Sequence, residues 1–219
     1  MKVLFTSAVV FCCFLVISCS KHSTPPAPGS GPNSIFPLVQ GSTWYYLDSA
    51  NNDTALTTPR VYAYLDTVTV TKTTIQDNQG TVYLELNDPN GWFVGSYIAV
   101  DPSNDAIYEA DSPAYAPYTF FAVVSQDGQT IGTGQDNTNP ACPLFTTQVG
   151  YVTTFTVGSF TNCLKNVEYT IDCNNNPQEM ITSYVQQGTG VVRIEHWMPD
   201  STTGPLFEDY SQTLQSYSK

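Results

Sequence analysis

Acid–base and nucleophilic chemistry needs a base held beside a nucleophile or a second acid, and this chain is poor in bases. It has two histidines. His22 falls in a Pro/Gly/Ser-rich stretch, which leaves His196 for the folded region. His196 sits in Ile194-Glu195-His196-Trp197, where strand alternation sets it on the same side as Ile194 and a structural role is expected. One histidine rules out a multi-histidine metal site. No Cys-x-x-Cys, Gly-x-Ser-x-Gly, phosphate loop or dinucleotide-type glycine motif occurs, so no metal and no cofactor is expected. Carboxylates remain. With 19 Asp and Glu, two could flank a glycosidic bond. Six of the 13 aspartates (Asp77, Asp88, Asp101, Asp105, Asp127, Asp136) stand in Asn/Gly/Pro turns, where the side chain caps backbone amides. Glu85, Glu109, Glu168 and Glu195 stand on strands and are expected to face water. Residues 101–105 and 127–136 are oxygen-rich but lack the ligand order of a calcium loop. The residues therefore favour a non-enzymatic module, with a carbohydrate-active hydrolase using paired carboxylates as the alternative.

The aromatic side chains offer a binding chemistry instead. Trp92, Tyr97, Tyr108 and Trp197 stand near loop ends, where exposed rings could stack on a glycan or a peptide of an envelope protein. Trp44-Tyr45-Tyr46 reads as the start of the core.

Six cysteines divide by position. Cys12 and Cys13 lie in the apolar opening run, Cys19 closes it, and Cys142, Cys163 and Cys173 belong to the folded region. Three thiols allow at most one internal bridge. Cys163 and Cys173 on one extended strand would be ~33 Å apart, beyond bridging distance. The expected bridge is Cys142 with Cys163 or Cys173; buried, unpaired thiols are the other outcome.

The opening stretch is a targeting signal. Lys2 is followed by the uncharged run Val3–Ile17, then Ser18, Cys19 and an abrupt polar shift. The run has the length of a signal peptide's apolar region and falls short of the roughly 20 residues that span a bilayer. Val16-Ile17-Ser18-Cys19 resembles the lipobox of bacterial lipoproteins. That implies cleavage after Ser18 and a lipid on Cys19, with the membrane reached through the lipid. Residues 1–18 are then the signal, 19–33 a flexible tether and 34–219 one domain. The tether, SKHSTPPAPGSGPN after Cys19, has no means of forming a core. Loss of Lys2 leaves six basic residues against 19 acidic ones, a net charge of −13. So acidic a chain is not expected to bind nucleic acid or to hold anionic headgroups by charge.

These side chains must be positioned by strands. Aromatic residues make up 13% of the chain and charged residues only 12%, so solubility rests on Thr, Ser, Asn and Gln. Val61–Ile75 is β-branched and aromatic throughout. Val82, Leu84 and Leu86 alternate with Tyr83, Glu85 and Asn87, and Val167, Tyr169, Ile171 and Cys173 alternate with Glu168, Thr170 and Asp172. Gly132–Pro143 reads as irregular. About ten strands separated by turn residues predict an all-β fold: an antiparallel β-sandwich or a partly open β-barrel. Met180–Val185 reads as a strand, and at most one or two short helices are expected, with Pro177–Val185 and Phe207–Tyr217 as the places where one could hide.

"FPL..G..W.Y" directly after the tether (Phe36, Pro37, Leu38, Gly41, Trp44, Tyr46) resembles the start of a family of uncharacterised Bacteroidetes lipoproteins. "GSFTNCLK" at Gly158–Lys165 and "GTGVV" at Gly188–Val192 resemble that family's C-terminal blocks, Gly-x-Phe-x-x-Cys-x-Lys and Gly-x-Gly-x-Val. The blocks cover under half of the folded part. The resemblance implies a cell-envelope location. Because Ser20-Lys21-His22-Ser23 lacks the acidic residues that often follow the cysteine of surface-exposed relatives, it implies an outer-membrane anchor facing the periplasm, with surface exposure as the alternative. It also marks Asp48-Ser49-Ala50, Asp53-Thr54-Ala55 and Asp66-Thr67-Val68 as O-glycosylation-like triplets.

Overall fold

A computed structural model describes residues 34–51, 61–76, 82–87, 97–101, 105–110, 118–199 and 205–218. Cys19, the signal, the tether, Trp92 and Asp53-Thr54-Ala55 lie outside the described residues. Twelve strands follow in chain order: β1 Thr43–Asn51, β2 Val61–Gln76, β3 Val82–Asn87, β4 Tyr97–Val100, β5 Ala106–Ala110 and β6 Tyr118–Ala122. They continue as β7 Gln129–Asp136, β8 Leu144–Val157, β9 Phe160–Ile171, β10 Pro177–Gln186, β11 Gly190–Pro199 and β12 Leu206–Ser218. All pair antiparallel in a single sheet, ordered β6-β5-β4-β3-β2-β1-β12-β11-β10-β9-β8-β7. The fold is all-β, and of the two architectures expected it is the barrel-like one.

The topology explains why the sheet curls. Each strand pairs with its sequence neighbour except at one place, where β1 pairs β12 and joins the two meanders. The free edges, β6 and β7, are then consecutive in the chain. Their short connection brings them together and nearly closes the ring, which hides most of the unpaired edge. Gln148 of β8 donates from Nε2 to the Phe120 carbonyl of β6 across the seam, at 2.9 Å. Asp127 in the connection accepts from the backbone amides of Val152 and Thr153 at 2.7 and 2.8 Å, and also from the Thr153 hydroxyl.

One end of the interior is filled with apolar side chains. Ser34–Leu38 inserts there, with Ile35, Phe36 and Leu38 buried. Phe36 packs edge-on to Trp44 at 4.7 Å between centroids, and Trp44 stacks on Tyr217 at 5.0 Å. The polar tips of these rings are satisfied by the β10–β11 turn and β11. Trp44 donates from Nε1 to Thr189 O (2.7 Å) and Tyr46 from its hydroxyl to Val191 O (2.8 Å). A buried amide or hydroxyl left unpaired costs ~1–3 kcal/mol, so these bonds fix how the plug sits. Gly190, at φ +96°, lies under the Phe36 ring where no side chain fits. Of the expected Trp44-Tyr45-Tyr46 anchor, Trp44 and Tyr46 are fully buried while Tyr45 faces out.

One reading of the chain is corrected. Gly132–Pro143 was expected to be irregular, but Gln129–Asp136 is a strand. As an edge strand exposed over most of its length, β7 has no buried face to impose alternation. Pro177–Gln186 and Leu206–Ser218 are strands, and no helix occurs among the described residues, which agrees with the expectation of at most one or two short ones. Asp48 and Asp66, which head two of the triplets, are buried inward-facing residues of β1 and β2.

Candidate binding cavity

Ladder register assembles the candidate site. Gln148, Glu168, Ile181, His196 and Tyr210 pair successively across β8, β9, β10, β11 and β12 and form one inward row. Gly150, Asn166, Ser183, Ile194 and Gln212 form the next row on the same face, two residues along each strand. Glu109 of β5 and Tyr118, Thr119 and Phe120 of β6 come from across the seam. All of the first row, Asn166, Ser183 and Ile194 of the second, the β5–β6 side chains and Glu179 line a cavity of about 420 Å³. The volume suits a small molecule. The cavity lies along the strands toward the starts of β10 and β12, away from the Trp44–Phe36 plug.

Its polar groups are unevenly served. His196 donates from Nε2 to Glu179 Oε1 at 2.6 Å, and its Nδ1 lies 3.6 Å from Asp209 Oδ2. The hydrogen bond to Glu179 raises the His196 pKa against the opposing effect of burial, and Asp209 adds to the rise. Glu168 is pushed above the usual carboxylate range, first by burial and then by repulsion from Glu179. Burial foremost, and then Asp48, raise the Tyr210 phenol. Asn166 is 2% exposed, lines the cavity, and has no hydrogen-bond partner on either side-chain atom among the described residues. Gly150 opposite it leaves room for that amide: a Cβ there would come within 3.1 Å of Asn166 Oδ1 and 2.5 Å of Val124. The basic side chains of β9 and β11 serve the outer face. Lys165 lies over the rings of Tyr151 and Phe155, and Arg193 pairs with Glu195 and Glu208.

The expected site residues fall as follows. Tyr97 and Tyr108 do come together, packed around Ala99 and Ala110 on the β4–β5 pair. Trp197 stands on β11, paired with Met180 and Glu208, with its buried indole N–H unpartnered. None of the three is among the residues that line the cavity. Cys142 is bridged to Cys173, and Cys163 is a buried free thiol. Asp101, Asp127 and Asp136 cap backbone amides in their turns, as expected of turn aspartates. Among the described residues no cluster of three metal-ligating side chains occurs.

The correction concerns the strand glutamates. Glu195 faces outward, but Glu109 and Glu168 face the interior. On β9 the polar face, Asn166, Glu168 and Thr170, is the inward one, and Val167, Tyr169 and Ile171 point out. His196 and Ile194 do share a side, and that side is the cavity wall. A signal for this existed in the sequence: acids and amides repeat at i, i+2 in β9 (Asn166, Glu168). The same pattern also describes a strand with a wet outer face, so it could not be read alone.

No protein-family model and no curated protein matches this chain. Two solved structures are similar to it. One is a candidate exported protein with a YmcC-like fold from Bacteroides fragilis. It has 11% identity and a TM-score of 0.49, over 85% of this chain and 100% of that one. The other is a candidate lipoprotein from Parabacteroides distasonis, with 13% identity and a TM-score of 0.44, over 85% of this chain and 99% of that one. Likeness at this level assigns no activity to the chain.

Proposed function

We propose that this is a cell-envelope lipoprotein, held on the outer membrane through Cys19 and facing the periplasm, whose β-barrel binds a small ligand in its interior without transforming it. The lipobox-like Val16–Cys19 and the tether support the anchoring. One observation supports the binding: a cavity of about 420 Å³ lined by Asn166, whose amide is buried and unpartnered, and by several carboxylates. Buried polar groups are normally paired, and a ligand would complete this set. Glycan fragments and envelope peptides remain the first candidates. Saturation-transfer NMR of the chain from Ser20 onward, against small sugars, peptides and amines, tests it. That chain retains every described residue. Binding that disappears on filling the cavity with Ser183→Phe supports the reading; a library without a single binder, or binders indifferent to that variant, refutes it.

A second reading, a glycoside hydrolase, draws on Glu168, whose raised pKa suits a proton donor and which faces Glu179. Release of nitrophenol from aryl glycosides, lost in Glu168→Gln, would establish it.

A further inference from the structure

The lining of the cavity carries a mismatch of charge. Glu109, Glu168 and Glu179 are all on its wall, and Glu109 is only 8% exposed. Among the described residues, the one basic group on that wall is His196, which is already spanned by Glu179 and by Asp209 behind it. Lys165 and Arg193, on the neighbouring β9 and β11, are directed to the opposite face and held there by aromatic rings and by Glu195 and Glu208. Among the described residues, Glu168 and Glu179 alone outnumber even a fully protonated His196 on that wall. The dielectric inside a barrel is low, so this excess acts on a bound ligand far more strongly than surface charge does. The wall also has an apolar part, Phe120, Ile181 and Ile194 with the ring of Tyr118, beside the polar Thr119, Gln148, Ser183 and Tyr210. Asn166 presents an unpartnered carbonyl oxygen to the same space, with its unpartnered amide nitrogen beside it.

We propose that the interior cavity is built for a small organic amine. Its ammonium is held by Glu168 and the Asn166 carbonyl in the field of Glu179, and its apolar body lies on Phe120, Ile181 and Ile194. The proposal rests on the cavity being the binding site and adds the class of ligand. An ammonium supplies up to three donors and no acceptor, which matches a wall of carboxylates and an amide oxygen. A carboxylate ligand is repelled. A neutral alcohol of the same shape gains the apolar contact alone.

The test is calorimetric titration of the chain from Ser20 onward with four probes: 2-phenylethylamine, 2-phenylethanol, 3-phenylpropionate and N-acetylglucosamine. The amine is expected to bind at least about tenfold more tightly than the alcohol, and the carboxylate not at all. Glu168→Gln, which keeps the shape and removes the charge, is expected to lower amine affinity about tenfold. Glu208→Gln, which removes an acid from the outer face, is expected to leave it unchanged. Circular dichroism of both variants confirms the fold. Alcohol or sugar binding as tight as the amine overturns the amine assignment and leaves the cavity reading intact. An equal loss in Glu208→Gln also overturns it, because the attraction would then be that of a generally acidic chain. If none of the four binds while the NMR screen yields binders sensitive to Ser183→Phe, the amine proposal alone falls. If the screen is empty as well, both fall.

Discussion

Removing the Cys142–Cys173 bridge should weaken this barrel chiefly through its unfolded state. The two cysteines flank the β8–β9 hairpin, Cys142 just before Leu144 and Cys173 just after Ile171, with a sequence separation of 31. The ladder from Phe145↔Ile171 inward already closes that hairpin in the folded protein. Substitution by alanine at these loop positions therefore costs little native packing. In the loop-entropy model a closed segment of this length restricts the unfolded chain by about 12 cal/mol/K, or about 4 kcal/mol at 25 °C. For a urea slope of ~2 kcal/mol/M, the midpoint of the Cys142→Ala/Cys173→Ala double variant should fall by ~2 M. Equilibrium urea unfolding, followed by far-ultraviolet circular dichroism and by tryptophan fluorescence, measures it. A shift under ~0.5 M, with the slope unchanged, would show that the bridge does not constrain the unfolded chain and would refute the reasoning.

Other outcomes follow from single residues. Gly190→Ala should cost about 3 kcal/mol, from left-handed strain and from a Cβ that would lie 2.2 Å from the immobile Phe36 ring; urea unfolding checks it. A thiol reagent should find no reactive cysteine in the folded chain from Ser20 onward and one after unfolding, because Cys163 is buried and burial raises its pKa. His196 has a folded pKa above its unfolded value near 6.5, so its contribution is complete below that pH and is lost as pH rises through the folded value. The urea-midpoint gap between the native chain and His196→Gln should accordingly be widest in mild acid and close in base. Glu168 also has a raised folded pKa, so ionising it opposes folding at neutral pH. Glu168→Gln should therefore raise the melting temperature at pH ~7.5 and leave it unchanged below the unfolded carboxylate pKa, near pH ~4.

Much of the fold was legible. The β-branched run of β2 and the alternation of β3 predict strands because a half-buried strand must alternate. The Asn/Gly/Pro punctuation marks turns because few other residues adopt turn backbones. What was illegible has a common cause. Alternation tells that two faces differ, and the usual inference is that the apolar face is the inner one. In β9 it is reversed: Asn166 and Glu168 line a polar cavity while Tyr169 lies outside, 39% exposed. Which face turns inward depends on the closure of the whole sheet, on β1 pairing β12 and on the β6–β7 seam, none of which is local. β7 was missed because an edge strand has no face to bury. The bridge was legible only to the choice between two partners for Cys142, since the choice depends on how β8 and β9 register. The aromatic residues near loop ends gave no guide to the cavity, whose rings come from Tyr118, Phe120 and Tyr210.

The interior cavity as the binding site is the central claim, and methyl and side-chain amide NMR tests it most directly. The chain from Ser20 onward, labelled at isoleucine methyls and at nitrogen, is titrated with the tightest binder from the screen. The account predicts that the methyls of Ile181 and Ile194 and the Asn166 side-chain amide shift first and furthest. Shifts confined to the outer-face surroundings of Tyr97, Tyr108 or Trp197, with those three signals unmoved, would contradict it.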